Sequence, residues 1–177
     1  MARQVAFLRA VNLGATRRVP MAELRSHLAA EGFDGISTYL ASGNVLLRSE
    51  LAPDELAREL EARIAARFRL DVPVAVRTRD ELAAIVASNP LAAVATDPKR
   101  YQVSFLSAEA DPALATRLDA AAVAHEAVVV TGREIFAWHP NGIIRSQLAK
   151  ALGDRRLGAT ARNWNTVTAL LALASGA

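Results

Sequence analysis

Arginines grouped with side-chain amides are the residues whose types and spacing suit chemistry in this chain. Arg9 and Asn12 stand three apart at the end of an apolar run, and Arg17 and Arg18 follow in the next loop. Ser42 and Asn44 flank Gly43, Arg145 precedes Ser146, and Arg162, Asn163 and Asn165 surround Trp164. A guanidinium donates as a planar fork that fits phosphate and carboxylate oxygens, while an asparagine amide both donates and accepts. At strand ends and helix starts, free backbone N–H groups add to the attraction for an anion. The chemistry expected of Arg9, Asn12, Arg17, Arg18, Ser42, Asn44, Arg145, Arg162, Asn163 and Asn165 is therefore ligand binding. The partner would carry phosphate: a nucleotide or a single-stranded nucleic acid.

Each cluster also has a purely structural reading. Ser42-Gly43-Asn44 suits a tight turn, because Gly and Asn tolerate a left-handed backbone. Asn163 or Thr160 would cap a final helix whose body is the run from Val167 to Ala174, apolar but for Thr168. Trp164 lies three and seven residues before Val167 and Leu171, which is core spacing rather than a ligand platform. Arg9, on the face of a covered strand, must be paired or line a cavity.

Other chemistry is poorly provided for. There is no cysteine, so disulfides, thiolate metal sites and cysteine nucleophiles are excluded. His27, His125 and His139 lack metal-ligand spacing to one another or to Asp and Glu, and there is no Gly-x-Ser-x-Gly elbow. No Walker or dinucleotide glycine motif is present, and no cofactor is implied. His139, ahead of Pro140-Asn141 and Arg145, is the one general-base candidate. The alternative function is thus a metal-independent enzyme that acts on a small anionic substrate in a cleft between two lobes, by positioning and charge stabilisation. A third is a structural or partner-binding protein. Whether the chain is an enzyme stays open at this level, as does its oligomeric state.

The elements that would position these residues follow from periodicity. The chain has 177 residues, 52% apolar and 22% charged, with net charge +3, and is globular in composition. Its cations are almost all arginine, with Lys99 and Lys150 the only lysines. That usage fits a GC-rich genome as well as an anion site. No apolar run is long enough to span a membrane, and with no signal peptide or cysteine the expected location is cytoplasmic.

Gln4–Val11 reads as a strand apolar on both faces, hence central. Pro20 opens a helix through Met21, Leu24 and Leu28, and Gly32 stops it with Phe33 folding back. Ile36–Leu40 and Val45–Arg48 form a hairpin. Leu56, Leu60, Ile64 and Phe68 stripe a second helix from Pro53, and Val72–Thr78 is a strand. This order is the split βαβ pattern of a ferredoxin-like lobe. Thr78 and Glu81 make a capping box for a helix ended by Asn89-Pro90. Leu91–Arg100 has no periodicity and reads as a linker.

Tyr101, Val103 and Phe105 alternate with Gln102 and Ser104, predicting a strand with one polar face. A helix with Leu114 and Leu118, a hairpin around Gly132-Arg133, a short helix from Ser146 to Leu152 and the final helix follow. The predicted fold is α+β: tandem ferredoxin-like lobes with antiparallel or mixed sheets and a C-terminal packing helix. The expected boundaries are 1–78 for the first lobe, 79–99 for a helix and linker, and 100–177 for the second lobe. One continuous mixed sheet is the alternative. The halves match in element order, with no residue-level identity expected. Single-strand recognition by such lobes uses aromatics on the two middle strands, and Phe7 finds no such partner in Val45-Leu46-Leu47-Arg48.

Four segments together resemble a bacterial family of domains of unknown function, numbered 1697. They are Leu8-Arg9-Ala10-Val11-Asn12-Leu13-Gly14, Val19-Pro20-Met21, Tyr39-Leu40-Ala41-Ser42-Gly43-Asn44-Val45 and Thr160-Ala161-Arg162-Asn163-Trp164-Asn165-Thr166-Val167. The resemblance implies two ferredoxin-like subdomains and brings no established activity, substrate or catalytic residue. The chain departs from the family's usual pattern in two places. Ala15 and Thr16 follow Gly14, ahead of Arg17 and Arg18, where a second glycine and alternating basic residues are common. Gly142-Ile143-Ile144-Arg145-Ser146-Gln147 replaces a Gly-x-Gly-Arg-Ser-Lys segment. One glycine and one lysine are missing from each place.

Overall fold

A computed structural model describes residues 1–176 of the chain. It divides into two compact units: Met1–Ala83 together with the chain from Leu170 onward, and Ala84–Ala169. Each unit holds its own four-stranded antiparallel sheet, so the fold is α+β with two ferredoxin-like lobes instead of one continuous sheet.

In the first unit the elements run β1 (Ala2–Leu8), α1 (Met21–Ala30), β2 (Asp34–Tyr39), β3 (Asn44–Ser49), α2 (Pro53–Phe68) and β4 (Val74–Thr78), followed by α3 (Arg79–Ser88). The sheet order is β2-β3-β1-β4. Ala6, Leu8, Val45, Leu47, Val74 and Val76 point to α1 and α2, where Leu24, Leu28, Leu56, Leu60 and Ile64 close the core. The opposite face, with Val5, Phe7, Leu46 and Arg77, is buried as well. Helix ends follow local chemistry. At the end of α1 the Phe33 N–H reaches the Leu28 carbonyl across Gly32, whose φ is +90°, so the last carbonyls are satisfied. At the start of α3 Thr78 Oγ1 accepts the Glu81 N–H at 3.1 Å, and Glu81 Oε2 accepts the Thr78 N–H at 2.7 Å.

The second unit repeats this plan. It runs β5 (Tyr101–Phe105), α4 (Leu114–Ala121), β6 (Ala127–Thr131), β7 (Glu134–Trp138), α5 (Gln147–Leu152), a 3₁₀ turn at Arg155–Leu157, β8 (Thr160–Asn163) and the start of α6 (Trp164–Ser175), whose residues from Leu170 on belong to the first unit. The order β6-β7-β5-β8 matches the first sheet position for position. Ile135 and Ala137 pack with Leu114, Leu118, Leu148 and Leu152.

Four expectations need correcting. β1 ends at Leu8, and Ala10 and Asn12 have φ of +52° and +57°, so Arg9 lies just past the strand and not on its face. Residues Thr160–Asn163 are the fourth strand of the second sheet, not the first turn of the final helix. Thr160 and Arg162 are buried there while Ala161 is exposed, the alternation of a strand that pairs with β5 on one side. The polar side of β5 is covered: Ser104 is 1% exposed. Finally, the halves do share residues. Val5 pairs with Arg77 as Val103 pairs with Arg162, and Gln4 pairs with Thr78 as Gln102 pairs with Asn163. This register superposes Gln4-Val5-Ala6-Phe7-Leu8 on Gln102-Val103-Ser104-Phe105-Leu106, with Ser104 in the place of Ala6.

Candidate functional site

Five of the ten candidate residues meet where β1 ends, and most of them are spent on building the loop. The Asn12 amide donates to the carbonyls of Val19 (2.9 Å) and Ala41 (2.7 Å), and its Oδ1 accepts the Val19 N–H at 2.9 Å. One side chain therefore closes the loop 12–19 on itself and ties it to the β2–β3 turn. Arg17 donates to the carbonyls of Ala10 (3.1 Å) and Asp71 (2.6 Å). Asn44, fully buried, donates to the Tyr39 carbonyl (2.8 Å) and to Ser42 Oγ (3.1 Å). Gly43 lets the turn sit against β1. Its φ is +85°, its carbonyl accepts the Leu8 N–H at 2.8 Å, and a Cβ there would lie 2.6 Å from Val11 Cγ2. Arg9 is half-buried, with its backbone N–H on the Pro73 carbonyl at 2.9 Å.

Arg18 is different. It is exposed and lines a cleft of about 550 Å³ together with Gly14, Pro20, Met21, Thr38 and Leu40. Pro20 is the N-cap of α1 and supplies no side-chain hydrogen bond, so the first N–H groups of that helix are not capped from within. The one carboxylate of the first turn, Glu23, is engaged by Arg67 at 2.6 Å. A cation, a hydroxyl and a helix's positive end thus share one concavity.

In the second unit the candidates separate. Asn163 Oδ1 accepts the Thr166 N–H at 2.9 Å and caps α6, as one of the two capping readings expected. Asn165 and Arg145 are exposed. Arg162 is buried, donating Nη1–H to the Ala161 carbonyl (2.8 Å) and Thr160 Oγ1 (3.2 Å), and loss of solvent pulls its guanidinium down to about 10. Trp164 stacks on Tyr101, ring centroids 4.8 Å apart and planes 21° apart. It is a packing residue, and burial pushes the Tyr101 phenol up to about 12.

His139 is fully buried. Its Nδ1 lies 3.1 Å from Glu126 Oε1 and 3.2 Å from Ser146 Oγ. Burial pushes the Glu126 carboxyl up, but hydrogen bonds from Ser146, the Val123 N–H and His139 outweigh it and hold the group below its usual range. A carboxylate can only accept, so Nδ1 carries the imidazole proton. Ser146 Oγ also accepts the Ala149 N–H at 2.8 Å, as the N-cap of α5.

Sequence reasoning missed Arg77 and Glu126. An arginine inside a strand of otherwise apolar residues was the available signal for the first, and Glu126 carried none. A cavity of about 750 Å³ between α4 and the α5–3₁₀ segment is lined by Leu106, Glu109, Leu114, Arg117 and Arg156 among others and includes none of the candidates. Among the described residues no three His, Asp or Glu side chains gather as a metal site, and no helix is long and apolar enough to cross a membrane.

The sequence profile of the family described as "Protein of unknown function (DUF1697)" matches residues 1–136. Among solved structures, a conserved bacterial protein from Streptococcus pneumoniae is similar, with 21% sequence identity, a TM-score of 0.80 and 98% of each chain covered. At that identity the likeness concerns the fold. No curated protein matches the chain.

Proposed function

We propose that this chain, which belongs to the family described as protein of unknown function DUF1697, binds a small phosphate-bearing ligand of nucleotide size at the start of α1. The observation that carries the reading is the cleft of about 550 Å³ that brings Arg18 beside the uncapped end of that helix. Its volume falls in the ordinary range of small-molecule sites, roughly 300–1,000 Å³. A phosphate there would accept from the free N–H groups of α1 and from the Arg18 fork, with Thr38 as a further donor. Leu40 and Met21 supply apolar surface for a ring. Asn12 lines the cleft as well, and together with Arg17, Ser42 and Asn44 it fixes the two loops that form it.

A small ligand is favoured over a single-stranded nucleic acid because each sheet is buried on both faces, which leaves no open sheet for bases to stack upon. Binding is favoured over catalysis because the one imidazole near a candidate cluster is turned into its own buried network.

Calorimetric titration at low salt with inorganic phosphate, mononucleotides and short oligonucleotides tests the reading. Mononucleotide binding is expected, weakened about 10- to 100-fold by Arg18→Ala, the loss of a charge-assisted bond worth roughly 1.5–3 kcal/mol. Absence of binding to every probe, or affinity indifferent to Arg18→Glu, would overturn it.

A further inference from the structure

The two sheets have the same strand order, yet their corresponding outer strands differ. β2 is interrupted: its pairing with β3 shifts register between Asp34 and Ser37, Gly35 sits at φ +61°, and Asp34 is exposed. Bulges, charges and glycine are the devices that blunt a sheet edge. β6, in the equivalent position, has none. Ala127-Val128-Val129-Val130-Thr131 pairs with β7 in unbroken register, contains no charge, proline or glycine, and keeps its three valines partly exposed. Among the described residues, its backbone makes no hydrogen bond beyond the ladder to β7.

We propose that β6 is a docking edge for a second copy of this chain, which pairs β6 with β6 antiparallel about a twofold axis through Val129. The strand is self-complementary. Antiparallel pairing about Val129 sets Val128 against Val130 and Ala127 against Thr131, so β-branched side chains meet β-branched side chains. It sets Glu126 against Gly132, and the Glu126 carboxylate is already turned inward to His139, so no like charges oppose across residues 126–132. A twofold axis needs one surface to complement itself, and this strand does. The joined sheet would have eight strands, two copies of β6-β7-β5-β8. One five-residue strand, about 17 Å long, buries less than the roughly 1,200–2,000 Å² of a specific, stable interface of ordinary size, so the dimer is reversible and concentration-dependent.

Sedimentation velocity from about 10 μM to about 1 mM tests this. The parent is expected to shift with concentration from 18.9 kDa toward twice that mass. Val129→Lys and Val129→Glu each place two identical charges at the dyad, so each alone should stay monomeric. An equimolar mixture of the two should recover the dimer. Circular dichroism of both variants should match the parent. Should either variant unfold, hydrogen exchange of the parent decides: the β6 amides that point away from β7 become more protected as concentration rises. A parent that is monomeric throughout, a dimer that persists in both variants, or protection independent of concentration would overturn the proposal.

Discussion

Arg77 and Arg162 occupy the same place in the two lobes. Each lies in the fourth strand of its sheet, is buried, pairs across the ladder with the valine of a Gln-Val-x-Phe-Leu strand, and donates Nη1–H at 2.8 Å to the carbonyl of the residue before it. Each is followed by the residue whose side chain caps the next helix, Thr78 for α3 and Asn163 for α6. Two guanidinium groups held this way are parts of the strand-to-helix corner.

Methionine keeps the stem of these arginines and removes the fork. Arg77→Met and Arg162→Met are each expected to lower unfolding free energy by roughly 1.5–3 kcal/mol, since each strands a carbonyl that accepted from a charged donor. Lysine should not restore either, because it lacks the planar fork. Urea denaturation of the four single variants checks this.

Gly43→Ala should cost more than any other single methyl in the first lobe. The added Cβ would meet Val11 Cγ2 at 2.6 Å and Leu8 Cβ at 2.7 Å, at a φ of +85°. Strain and crowding together are expected to remove roughly 2–4 kcal/mol. Gly14→Ala, with φ +106° but open space, should cost only the backbone strain. Thermal melts of the two variants should separate clearly.

Glu126 gives the second lobe an acid limit. Its carboxyl titrates lower in the folded chain than in the unfolded one, so the unfolded state takes up protons first as pH falls. The stabilisation is complete above the unfolded value of about 4.5, and it is lost as pH falls from there through the folded value. Urea midpoints measured from neutral pH into that window should decline, and Glu126→Gln should flatten the decline while lowering stability at neutral pH.

Asn163→Ala is expected to destabilise by about 1 kcal/mol through loss of the α6 cap. Asn165→Ala, at an exposed neighbour, should change stability by less than about 0.5 kcal/mol. Equal effects in denaturation would mean that the Oδ1–Thr166 bond contributes nothing.

The lobes were legible because their signals are local. Helical stripes such as Leu56, Leu60 and Ile64, the Thr78–Glu81 box and the Gly32–Phe33 stop each report on a few neighbouring residues. What escaped was non-local or short. β8 has four residues, too few for a period, and its identity depends on β5 nearly sixty residues earlier. The shared Gln-Val-x-Phe-Leu strand lies 98 positions apart and becomes visible only once register aligns Gln4 with Gln102. The candidate clusters were found as polar residues, but type alone does not separate an amide that builds a loop, as Asn12 does, from a cation that faces a cleft, as Arg18 does. That distinction lies in hydrogen bonds between segments distant in the chain.

The make-up of the first unit bears on how the chain is born. Met1–Ala83 belongs with residues from Leu170 onward, and 86 residues, 84 to 169, intervene. A ribosome adding roughly 5–20 residues per second takes about 4–17 s to cross that gap. For that interval the nascent amino-terminal sheet waits without its last helical piece, and the second lobe, contiguous in sequence, is complete as soon as residue 169 has been added. The lobe made first is thus the lobe finished last, and chaperones that guard emerging chains have their longest call on it.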